Sequence, residues 1–159
     1  MTWTPHVTVA AIAEQDQRFL VVEEKIRGRL VVNNPAGHLE AGESFADAVR
    51  RETLEEAGWE FEPQAITGIY LWTNVTLQTT FLRITFYGHC IRQHKERPLD
   101  AGIVGPKWMT RAELARPTVQ LRSPLVLRCI DDYLAGRRFP LDLLACLDRT
   151  ASKLTAVRG

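Results

Sequence analysis

Between Gly37 and Trp59 the chain reads G-H-L-E-A-G-E-S-F-A-D-A-V-R-R-E-T-L-E-E-A-G-W, and this stretch restricts what the remainder can fold into. Gly37 and Gly42 permit a loop folded tightly against a helix start. Ser44 followed by Asp47 has capping-box spacing, so a helix is expected from Ser44, with Gly58 as its stop. Counting about 100° per residue from Phe45, Val49 falls at about +40° and Ala48 at about −60°, which makes an apolar stripe. On the same count Glu52 falls at about −20°, Glu56 at about +20° and Glu55 at about −80°. The stripe therefore ends in carboxylates on its own face, whereas a surface helix keeps them on the other side.

Two carboxylates about 6 Å apart repel by roughly 3 kcal/mol at an effective dielectric near 20. Three of them turned toward the protein body must either hold protons or recruit a cation. A hard divalent ion such as magnesium or manganese suits them. A solvated glutamate-rich helix end is the plainer alternative, and the stripe geometry disfavours it. Carboxylate-held magnesium suits hydrolysis of phosphoanhydrides, where phosphate charge must be shielded and a water activated. A spare carboxylate can serve as general base. Arg51, beside Glu52, can fix a glutamate or form a surface ion pair, and Glu43 and Asp47 suit the helix dipole.

The remaining chain supplies strands and a few candidate contacts. His6–Ala13 and Arg18–Glu24 read as a hairpin around Glu14–Gln17, and Leu30–Asn33 as a third strand ended by a tight turn at Asn34–Gly37. Ala65–Thr73 and Thr79–Ile91 have strand composition, and Lys107–Met109 a short last strand. Arg92–Gly105 is a long polar loop of the kind that often carries function. Thr110–Glu113 opens a short helix, and Ser123-Pro124 opens another that ends at Gly136. Interleaved strands and helices give an α/β layered fold with a mixed sheet.

Among single residues, Arg27 lies in a basic loop that is either solvated or a phosphate contact. Arg83 sits inside a strand, as an exposed edge cation or an inward one meeting a substrate phosphate. His38 is a candidate phosphate contact, and Glu40 either lines the site or caps a turn. Tyr70, Trp72, Phe81 and Phe86 include candidates for a base-stacking platform, against a core role.

At 159 residues the chain fits one domain, expected over residues 1–147, with 148–159 as a tail. A net charge of +1 argues against a nucleic-acid polymer as partner. Three scattered cysteines, an opening without signal-peptide pattern, and no apolar run of ~20 residues point to the cytoplasm and away from a membrane.

Read as a pattern, Gly37, Glu43, Arg51-Glu52, Glu55-Glu56, Gly58 and an apolar Trp59 match the spacing of the Nudix box, with Thr53 where an aliphatic residue is usual. The chain thus resembles the Nudix hydrolases. The resemblance implies a Nudix-type α/β/α sandwich and metal-dependent hydrolysis of phosphoanhydrides. It also implies metal ligation by Glu52, Glu55, Glu56 and the Gly37 carbonyl, with Glu43 and Arg51 orienting them. Segments P-H-V-T-V-A, F-L-V-V-E-E, N-x-P-A-G-H-L-E and L-R-S-P-L-V resemble the NudJ-type branch. That branch implies small phosphorylated substrates: nucleoside tri- and diphosphates or thiamine-pathway pyrophosphates. Asp100 is the only acid in the segment before Trp108, where such enzymes place several, so whether that loop supplies a ligand or base stays open. Two further readings stay open: a nucleotide-binding module without turnover, and a pyrophosphatase for sugar nucleotides or dinucleoside polyphosphates.

Overall fold

The computed structural model describes residues 2–147; the expected tail at 148–159 lies outside them. Runs of β-branched and aromatic residues form two sheets. The first has the order β5 (Ala36–His38), β1 (His6–Ile12), β7 (Thr79–Gln93), β6 (Trp59–Asn74). Its β1–β7 pairing is parallel and its other two are antiparallel, which makes it a mixed sheet. The second is built on β3 (Arg18–Ile26), flanked by β2 (Glu14–Gln15), β4 (Arg29–Asn33) and β8 (Ile103–Thr110).

Alternation along β3 shows how the layers are held. Leu20 and Val22 join one core with Val9, Ile84 and Phe86, beneath helix α1 (Phe45–Ala57). Phe19 and Val21 join the other, beneath α3 (Leu125–Leu134), with Ile12, Cys129 and Ile130. The sheets are thereby sandwiched between α1 and α3, the α/β/α architecture expected from the sequence. A single turn of helix, α2 (Arg111–Leu114), follows β8 and is closed by a full capping box between Thr110 and Glu113.

Some boundaries differ from the sequence expectation. Ala36–Gly37, expected in a tight turn, pair with β1 as strand β5. The strand expected from Ala65 begins at Trp59; Pro63 is accommodated because β6 is an edge strand with register shifts around it. The long loop shrinks, because the chain stays in β7 to Gln93 and enters β8 at Ile103. Ser123 accepts the Leu125 amide at 3.2 Å from one position before the N-cap, which is Pro124. Among the described residues no helix is long and apolar enough to cross a membrane.

Candidate active site

Helix α1 starts and stops as its sequence dictates. Ser44, in extended conformation, accepts the Asp47 amide at 3.1 Å, and Gly58 closes the helix with φ of 67°. Ala48 and Val49 are fully buried, and Glu52, further along the same stripe, is 7% exposed. Thr53 is buried and donates its hydroxyl to the Val49 carbonyl at 2.7 Å, so it leaves no orphaned polar atom.

The carboxylates converge, and the set differs by one member from the expected trio. Glu52, Glu55 and Asp100 each place a carboxylate oxygen within 4.8 Å of the others. Asp100, left open on sequence grounds, is brought in because its amide donates to the Glu55 carbonyl at 3.0 Å, pinning the loop to the last turn of α1. The signal for it was the loop itself, polar and long. Glu56 turns toward β5 and accepts the Ala36 amide at 3.1 Å. Burial pushes its carboxyl up to about 8, with Glu52, Glu24 and Asp100 adding to the shift. Burial also raises Glu52, and Arg51 offsets this only in part.

Arg51 ties the cluster together. Its guanidinium donates to Glu43 (2.7 and 3.0 Å), Glu52 (2.8 Å), Glu55 (3.2 Å) and the His38 carbonyl (3.0 Å). The hydrogen bonds from Arg51 hold Glu43 below the usual carboxylate range, and Glu43 also accepts the Glu40 amide at 2.8 Å. Glu43 thus braces the loop and the arginine from behind. At Gly37 a Cβ would run into the Glu52 carboxylate, which explains glycine there.

The carboxylates form one wall of a cavity of about 1100 Å³. Gly37, His38, Glu40, Arg27 and Arg83 all line it, as does Arg51; Glu43 does not. Arg83 is 8% exposed, so it is an inward cation and not an exposed edge one. His38 is exposed, with its ring 3.1 Å from His6, and burial followed by His6 lowers its pKa. Of the candidate aromatics, Trp72 and Phe81 stack on one another (5.9 Å, 18°) and line the cavity, whereas Tyr70 and Phe86 belong to the cores. Arg122, Thr8 and Asn33 also face the cavity.

A family model of the NUDIX domain matches residues 4–129. The chain belongs to the NUDIX family. It is a Nudix hydrolase, and its similarity to known members runs nearly end to end. "Phosphatase NudJ" of Escherichia coli K12 is 39% identical over 140 residues, which cover 88% of this chain and 90% of that protein. A NUDIX hydrolase of Nitrosomonas europaea with a solved structure is 48% identical, with a TM-score of 0.86 over 92% of this chain and 99% of its own. A MutT NUDIX hydrolase of Burkholderia pseudomallei shares 18% identity and a TM-score of 0.69 over 82% of this chain and 98% of its own; at that distance the likeness speaks for the fold.

Proposed function

We propose that this Nudix hydrolase is a magnesium-dependent phosphohydrolase that cleaves phosphoanhydride bonds in nucleoside tri- and diphosphates or thiamine-pathway pyrophosphates. The convergence of Glu52, Glu55 and Asp100 inside one cavity carries the proposal. Raised protonation at Glu52 and Glu56 fits a site short of positive charge. Glu52, Glu55 and Asp100 would hold the ion, with Glu56 and the Gly37 carbonyl as further ligands. Magnesium, or manganese in its place, would supply charge neutralisation at phosphoryl oxygens and acidify water.

The chain's own residues do the rest. Arg51 holds the carboxylates in position. As a water oxygen bonds to phosphorus and the bridging P–O bond breaks, a carboxylate of the Glu52, Glu55, Glu56 cluster accepts the water's proton. Arg27, His38, Glu40 and Arg83 face the substrate. NudJ-type relatives carry the word phosphatase in their names, which supports orthophosphate as product.

Colorimetric phosphate release with magnesium tests this. Glu55→Gln should lose roughly 10²- to 10⁴-fold in turnover while circular dichroism stays unchanged. Wild-type activity in that variant, or full activity under chelator, would sink the proposal. A panel including sugar nucleotides and dinucleoside polyphosphates, with orthophosphate and pyrophosphate measured separately, decides between substrate classes.

A further inference from the structure

The carboxylate wall is one pole of the cavity, and the other is cationic. Arg83 lies on β7, paired on one side with Thr8 of β1 and on the other with Tyr70 of β6. Thr8 pairs in turn with His38 of β5, so Arg83 stands two strands, about 10 Å of backbone, from the glycine loop. Although Arg83 is 8% exposed, its Nε and Nη1 have no hydrogen-bond partner, and the Thr8 hydroxyl is likewise buried and unpaired. The neighbour of Arg83 on the core side is Cys129, and a thiol is a weak acceptor.

A buried guanidinium with two of its nitrogens unpaired is costly, and buried polar groups are ordinarily paired. Glu56 is the carboxylate that acts on Arg83 across the cavity, and Arg122, which lines the same cavity, adds a second positive charge that works against it. Ser123 lines it too; having accepted the Leu125 amide, its hydroxyl proton is free to donate. It sits at the start of α3, where the helix dipole favours an anion. Donors on several elements therefore converge, and what they lack is a shared acceptor.

We propose that Arg83, with Thr8, Arg122 and Ser123, forms an anion subsite that binds a phosphoryl group without the metal. The forked guanidinium suits a tetrahedral oxyanion. That the anion is a phosphoryl group rests on the hydrolase reading above. Two sources share this chemistry: a substrate phosphate and the orthophosphate released.

Thermal unfolding of the full chain in EDTA, at matched ionic strength, tests the subsite with no turnover in the tube. One arm titrates sodium phosphate, the other an α,β-methylene nucleoside diphosphate. The wild type should gain melting temperature in at least one arm, and Arg83→Met should lose the gain. Without anion, Arg83→Met should melt at or above the wild type, because an unpaired buried charge is gone. Arg122→Gln, at the exposed rim, should bind about 10-fold more weakly, and it keeps the test open if Arg83→Met fails to fold. A response to both anions assigns the subsite to product as well as substrate; a response to the analogue alone assigns it to substrate. Absence of any response, a response equal in wild type and Arg83→Met, or a response that requires magnesium would overturn the subsite. Failure of hydrolysis with magnesium would leave this binding result standing, so the two proposals fail separately.

Discussion

The Glu56 carboxylate accepts the Ala36 amide at 3.1 Å, joining the end of α1 to the short strand that carries the glycine loop. Without metal, burial lifts this carboxyl from 4.5 to about 8. Between those values the native state holds a proton that the unfolded chain has released. Stability from this group is therefore complete below about pH 4.5 and is lost as pH rises toward 8. His38, with its pKa lowered by burial and then by His6, works in the opposite direction, and only below its ordinary value of 6.5. The difference between wild type and Glu56→Gln isolates the carboxyl: in EDTA the wild type should lose melting temperature relative to the variant from pH 5 to pH 8. Parallel curves would refute it.

Gly37→Ala should be costly for a local reason. The added methyl meets the Glu52 carboxylate, which is hydrogen-bonded to Arg51 at 2.8 Å. Overpacking of this kind typically costs about 1–3 kcal/mol. Denaturant melts should show that loss together with reduced turnover; a neutral result on both would mean that the loop relaxes freely.

Arg51→Lys tests whether the arginine acts through its geometry or its charge. One ammonium cannot span Glu43, Glu52, Glu55 and the His38 carbonyl as the guanidinium does. Activity should fall roughly 10- to 100-fold, as for other residues that orient metal ligands. The loss should show as weaker magnesium affinity, read from a metal titration of rate. Unchanged metal affinity would make Arg51 a simple surface pair.

How much was legible in the chain depended on whether the cause was local. Helix α1 was readable because Ser44, Phe45, Val49, Glu52 and Gly58 encode cap, stripe and stop within a few turns. The same count put Glu52 and Glu56 on the inward face and Glu55 at its flank, whereas the structure sets Glu55 beside Glu52 and turns Glu56 toward β5. Asp100 could not be read this way: its place comes from one backbone hydrogen bond to Glu55, made across a loop whose path the residues do not announce. Strand β5 was hidden for a related reason. Pro35 and Gly37 signal a turn, yet pairing with Thr8–Ala10 of β1 imposes extended structure. Arg83 was undecided in sequence because strand periodicity does not say which sheet face is covered; α3 and the second sheet decide it.

The cavity is assembled from two sources. Its carboxylates come from α1 and the Asp100 loop, while Trp72, Asn74, Leu77 and Phe81, which also line it, come from β6, β7 and the turn between them. None of the Arg51 hydrogen bonds goes to those four residues. Substitution at those four positions would reshape that part of the cavity and leave the Arg51 network untouched. A lineage built this way can change its diet without relearning its reaction.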